Sequence, residues 1–154
     1  MDELKIGTEN TTDSTQYIVI RIGEEQYGIN IAFVDNIVRM VKITRCPKVA
    51  PYVKGVMNLR GSVVPVMDLR VKMGLPESEP TKATRIIILK LEQHGTIGIV
   101  VDEVKEVVTF DADQIEKVNN ENSGDRTVFV QSVGKYGSEL VSILDLNAVA
   151  VEKE

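Results

Sequence analysis

Asn58-Leu59-Arg60-Gly61-Ser62-Val63-Val64-Pro65-Val66-Met67-Asp68-Leu69-Arg70 reads as a β-hairpin running into a short helix. The apolar run Val56–Leu59 meets a turn at Arg60-Gly61, and a second run climbs to Asp68. Gly61 can take the positive φ that a tight hairpin requires. Arg60 is then held at the tip of a rigid hairpin, aimed at solvent. A guanidinium fixed this way suits a partner's carboxylate or backbone carbonyl. Asp68 caps a short helix, Leu69–Met73, closed by Gly74.

The same pattern returns near the end of the chain. Val64-Pro65-Val66-Met67-Asp68-Leu69-Arg70 matches Val141-Ser142-Ile143-Leu144-Asp145-Leu146-Asn147. Tyr27-Gly28-Ile29 matches Ile97-Gly98-Ile99, and Val34-Asp35-Asn36-Ile37 matches Val101-Asp102-Glu103-Val104. The offsets are 77, 70 and 67 residues, in one order, which is the mark of an internal duplication. Each half holds about five short strands and a short helix. Five short strands avoid open edges by curling, so the expected fold is all-β, two small five-stranded barrels.

The remaining elements fit this scheme. Residues 1–15 are polar and read as a mobile tail ahead of a single domain spanning 16–149. Tyr17–Ile22 and Gln26–Asn30 form a hairpin, Ile31–Val34 a helical turn, and Asp35–Val41 a strand. The boundaries expected are a first subdomain at about 16–75, a linker at about 76–83 with two prolines, and a second subdomain at about 84–143. In the second, Arg85–Leu91, Thr96–Val101, Val104–Thr109, Val128–Val133 and Glu139–Ile143 read as strands. Asn119–Asp125 is the most polar loop, and Asp145–Val149 a final helix.

Composition narrows the function. Val and Ile number 38 of 154 residues, aromatics are 5% and there is no Trp, so the core is aliphatic and β-branched. A net charge of −5 gives no electrostatic case for nucleic acid or an anionic membrane. No apolar run approaches the ~18 residues of a membrane span. With a single Cys no intramolecular disulfide forms, which fits a reducing cytoplasm.

Catalytic chemistry finds little support. His94 is the sole histidine and sits in the turn Gln93-His94-Gly95. It has no second His and only Cys46 as a thiol to build a metal site. No nucleophile elbow, phosphate loop or calcium loop is present. Cys46 lies between Arg45 and Pro47, and a filler role under a loop is favoured over a reactive thiol. Asp68 and Asp145 could act as an acid–base pair, but duplication explains both as caps of equivalent helices. No catalytic residue, metal, cofactor or small-molecule substrate is expected. Two rivals remain open: a small enzyme using Asp68 or Asp145, and an SH3- or OB-like nucleic-acid binder. The second needs a basic face with exposed aromatics, and the chain has four Tyr and three Phe.

Taken together, Glu25-Gln26-Tyr27-Gly28-Ile29, Lys54-Gly55-Val56-Met57-Asn58-Leu59-Arg60-Gly61, Val64–Arg70 and Gly98-Ile99-Val100-Val101-Asp102-Glu103-Val104 resemble the CheW family of bacterial chemotaxis adaptors, from about Gln16 to Val149. The resemblance implies two SH3-like barrels and no catalytic activity. It implies a cytoplasmic protein, recruited to membrane-associated receptor arrays without inserting in the membrane. There it bridges the cytoplasmic tip of methyl-accepting chemoreceptors to the regulatory domain of the histidine kinase CheA. It places Val34, Asn36, Ile37, Asn58, Leu59, Arg60 and Gly61 towards the receptor helix, in the groove between the subdomains. Gly98, Ile99 and Val100 are the kinase-facing candidates, with barrel ends meeting that partner. Some relatives carry an acidic residue where this chain has the neutral Asn36. The chain has room for neither a kinase core nor a receiver domain, so a single-domain adaptor is expected.

Overall fold

The computed structural model describes residues 14–117 and 129–150. The tail up to residue 13 and the polar loop Asn119–Asp125 lie outside the described residues, while Ser14 and Thr15 open the first strand rather than belonging to a tail. Eleven strands follow in chain order among the described residues. They are β1 (Ser14–Ile22), β2 (Glu25–Asn30), β3 (Val34–Arg39), β4 (Val53–Leu59), β5 (Ser62–Asp68), β6 (Arg85–Leu91), β7 (Gly95–Val101), β8 (Glu103–Asp111), β9 (Ile115–Lys117), β10 (Val130–Tyr136) and β11 (Glu139–Leu144). Two short helices, α1 (Leu69–Lys72) and α2 (Leu146–Ala150), follow β5 and β11.

The strands form two sheets, β8-β1-β2-β11-β10-β9 and β3-β6-β7-β5-β4. Each curls closed. Beyond β3, Thr44 exchanges two 2.8 Å backbone bonds with Val56 of β4. Beyond β8, the chain makes a 3-10 turn at Ala112–Gln114 and returns as β9 against β10, with Ile115 opposite Gly134. We call the first sheet the terminal barrel and the second the middle barrel.

The duplication is visible in the register. β5 runs parallel to β7 with Val66 opposite Gly98, and β11 runs parallel to β2 with Ile143 opposite Gly28. These pairs reproduce the sequence offsets of 77 and 70. The third offset needs correction. Val34 stands opposite Leu89 and Val104 opposite Ile20, so the equivalent of Val34 is Val104 rather than Val101. The one-residue excursions of the ladder near Val34 and near Val19 obscured this in the sequence.

The expected boundaries at about 16–75 and 84–143 do not coincide with the barrels. β1 and β2 pair with strands of the second half, and β6 and β7 with strands of the first. The chain crosses between sheets at the 3-10 turn Ile31–Phe33, whose Ala32 amide donates to Asn30 Oδ1 at 2.9 Å, and at Asp102. Each repeat therefore lends its leading hairpin to the other.

Burial explains the exchange. Tyr17, Val19, Val108, Phe110, Val141 and Ile143 fill the terminal barrel. Met57, Val64, Val66, Ile86, Ile88 and Val100 fill the middle one. The alternate residues, among them Ile18, Ile20, Ile22, Ile87, Leu89, Ile97, Ile99 and Val101, form a larger core shared between barrels. Strands such as β6 and β7 bury both faces, so they read as unbroken apolar runs.

Candidate functional site

The β4–β5 hairpin closes with Leu59 opposite Ser62, leaving Arg60-Gly61 as a two-residue turn. Both residues have positive φ, 51° at Arg60 and 86° at Gly61. That is the pattern of a type I′ turn, whose twist matches the flanking strands. Asn58 supports it: its Oδ1 accepts the Gly61 amide at 3.1 Å. Arg60 is exposed, and among the described residues nothing accepts a bond from its guanidinium. A left-handed non-glycine residue is unfavourable by roughly 1–2 kcal/mol. The turn thus holds a free cation in a strained backbone.

Leu59 is half-buried against the middle barrel's interior, so it anchors the hairpin more than it faces outward. Val34 and Ile37, on the edge strand β3, are half-buried against the shared core. They sit where the two barrels meet and show only part of their side chains. Asn36 is half-buried at the β3 irregularity, and its Oδ1 accepts the Ile37 amide at 2.8 Å. β3 and β5 are separated by β6 and β7 in the sheet, and no hydrogen bond or ion pair among the described residues joins the Arg60 tip to β3. The arrangement is two accessible elements on one barrel, not a single pocket.

Gly98, Ile99 and Val100 do not form a surface. They lie on β7, between β6 and β5, and all are buried, Ile99 at 0% exposure. Ile99 faces the shared core and Val100 the barrel interior. A Cβ on Gly98 would come within 3.0 Å of Ile86, so this glycine serves close packing. The kinase-facing assignment of these three is therefore corrected: an apolar run buried on both faces has nothing to present.

Asp68 and Asp145 have structural work. Asp68 Oδ1 accepts the Arg70 amide at 3.0 Å, and Asp145 Oδ1 accepts the Ala148 amide at 3.2 Å. Burial pushes the Asp68 carboxyl up, while Lys54 and the amides of Arg70 and Val71 pull it back. Cys46 is a half-buried free thiol. Among the described residues no group of His, Cys, Asp and Glu could hold a metal ion.

The structure adds residues that the motif reading passed over. Val63 is 68% exposed, directly opposite Asn58 beside the Arg60 tip. Phe33 is 42% exposed at the β2–β3 crossing. The period-2 alternation of Ser62-Val63-Val64-Pro65-Val66 already points Val63 outward.

The chain matches the family described as "CheW-like domain" over residues 16–154. It is 39% identical over 137 residues to "Chemotaxis protein CheW" of Bacillus subtilis (strain 168), covering 89% of this chain and 86% of that protein. It is 31% identical to "Chemotaxis protein CheW" of Klebsiella aerogenes, covering 93% and 86%. Among solved structures it resembles "scaffolding protein TtCheW" from Thermoanaerobacter tengcongensis with a TM-score of 0.81 and 31% identity, covering 88% of this chain and 91% of that one. The two closed barrels with their duplicated register, the free arginine at the hairpin tip and these likenesses agree: the chain belongs to the CheW family of chemotaxis adaptors.

Proposed function

We propose that this chain is a non-catalytic adaptor that couples the cytoplasmic tip of methyl-accepting chemoreceptors to the histidine kinase CheA. It works in the cytoplasm, recruited to membrane-associated receptor arrays. The receptor helix meets Arg60 with Asn58 and Gly61, and the partly exposed Val34, Asn36 and Ile37 at the barrel junction, with Leu59 holding the hairpin. CheA is met through barrel-end loops. The observation that carries this reading is the Arg60 turn, a strained backbone presenting an unpartnered guanidinium on a family scaffold. Strain kept at a surface turn is a mark of use. Charge-assisted bonds from arginine to a helix's carboxylates are directional and strong.

Titrating Arg60→Ala separately against a receptor tip fragment and the CheA regulatory domain tests it. Receptor affinity falls by about 1.5–3 kcal/mol, roughly ten- to 150-fold, while CheA affinity is nearly unchanged. Equal affinities for parent and variant against both partners would make Arg60 an ordinary surface charge.

A further inference from the structure

The two repeats differ in one place where their equivalence is otherwise close. Asp68 and Asp145 each cap a short helix, and their amides donate to Tyr52 O at 2.7 Å and Phe129 O at 2.8 Å, two carbonyls that are themselves 77 residues apart. By the same offset Lys54 corresponds to Gln131 and Arg70 to Asn147. By the offset of the β2–β3 and β7–β8 segments, Asp102 corresponds to Ala32. By the β1 and β6 registers, Gly23 corresponds to Glu92.

In the first repeat this seat is filled. Arg70 Nη1 lies 2.7 Å from Asp102 Oδ2, and its Nε donates to Pro76 O at 3.0 Å. Lys54 Nζ lies 3.8 Å from Asp68 and 3.4 Å from Glu77. The linker lies across the seat, with Leu75 Cδ1 3.4 Å from where a Cβ on Gly23 would be. One extended segment and these two cations close it, with Arg21 Nη1 a third cation 3.8 Å from Asp102 Oδ2.

Among the described residues the second repeat leaves the seat open. Lys54, Arg70 and Asp102 are gone, replaced by Gln131, Asn147 and Ala32, while Arg21 corresponds to Lys90, which lies 3.7 Å from Asp35. What remains is a groove of about 320 Å³, floored by Leu91 and Leu144, walled by Phe33, and carrying Glu92 and Asp145. No lysine or arginine is among its lining residues. The retained Asp145 and added Glu92 leave it with uncompensated negative charge.

We propose that this groove binds an extended peptide segment of a partner protein that supplies an arginine next to an apolar residue, as Arg70 and Leu75-Pro76 do within the first repeat. The first seat shows the chemistry of the occupant. Acidic walls over an apolar floor select a cation with a hydrophobic neighbour, and the arginine stem covers apolar surface while its head meets the carboxylates. This inference does not depend on how receptor or CheA is bound.

The test is an amide NMR titration of the full ¹⁵N-labelled chain with blocked Gly-Leu-Pro-Arg-Gly, and with the same peptide carrying glutamine for arginine. The arginine peptide gives saturable shifts at Gln93, Gln131 and Asn147 with a Kd up to about 1 mM, and the glutamine peptide binds about fivefold or more weakly. Glu92→Gln with Asp145→Asn keeps the helix cap, since Asn caps as well as Asp, and weakens binding by about fivefold or more at unchanged Tm. Ala32→Asp with Asn147→Arg rebuilds the first repeat's pair and abolishes binding. Equal affinity for the two peptides, no saturable shift at these amides, or binding that survives Asn147→Arg overturns the proposal. So does binding that appears only after residues 151–154 are removed, which would assign the groove to the chain's own end.

Discussion

A methyl group on Gly55 would overlap the carbonyl oxygen of Thr44. The two residues meet there because Thr44 and Val56 close the middle barrel through paired backbone bonds. Gly55 also has φ of 143°, a conformation L side chains rarely adopt. Gly55→Ala is therefore expected to cost about 3–5 kcal/mol in urea unfolding, by opening the closure as well as straining the backbone. A loss below about 1 kcal/mol would show that the barrel does not depend on this crossing. Asp68 allows a pH test. Its carboxyl is raised above 3.8, chiefly by burial, so folding favours the protonated form. The stability it contributes is present below about pH 4 and is lost as pH rises through the folded value. Asp68→Asn keeps the cap and removes the titration. The parent should gain stability relative to this variant as pH falls from about 6 to below 4, read as the difference in Tm. A difference running the other way would mean that Lys54, 3.8 Å away, outweighs burial.

At the scale of the element, the β4–β5 hairpin sets local comfort against use. Its first turn position favours Asn or Gly, yet Arg60 sits there at φ 51°. Arg60→Asn should raise stability by about 0.5–1 kcal/mol, by relieving the turn, and still weaken receptor binding as Arg60→Ala does. Arg60→Ala should leave Tm nearly unchanged, since alanine inherits the strain and nothing in the described structure bonds the guanidinium. A stability gain without loss of affinity would detach the strain from function. Local signals made this hairpin and both helix caps legible in the sequence. Arg60-Gly61 announces a turn, and Asp68 and Asp145 announce caps. The site was half legible. Arg60 is where the motif put it, and Val34 and Ile37 lie at the barrel junction. Gly98–Val100 present no surface, because alternate faces of β7 feed two different cores, and a resemblance in motif carries no information on burial. The closing pieces, Thr44 and β9, left no local trace, because each is defined by a partner far along the chain.

At the scale of the molecule, duplication was readable but the partition of strands was not. Equivalent strands carry similar patterns, so the sequence alone does not say which copy a hairpin joins. Gly28 and Gly98 occupy equivalent parallel registers beside β11 and β5, and either hairpin satisfies that register. What decides is the shared core. A first half folded alone, with β1–β2 returned to β5, would still leave Ile18, Ile20, Ile22 and Ile29 without Ile87, Leu89, Ile97 and Ile99 to cover them. Each buried aliphatic side chain of this size is worth about 1.5–3 kcal/mol, and single domains are stable by only about 5–15 kcal/mol, so a lone half lacks the means to stay folded. Cutting the linker between Ser78 and Glu79 should therefore give two fragments that are each unfolded, without a cooperative melt by circular dichroism. Mixed, they should recover the parent's spectrum and melt in one transition whose Tm rises with concentration, because two chains must meet. The intact chain should unfold in a single step, with no separate transition for either barrel. A first fragment that melts cooperatively by itself would mean that the barrels are independent units and that the exchanged hairpins are dispensable to the core.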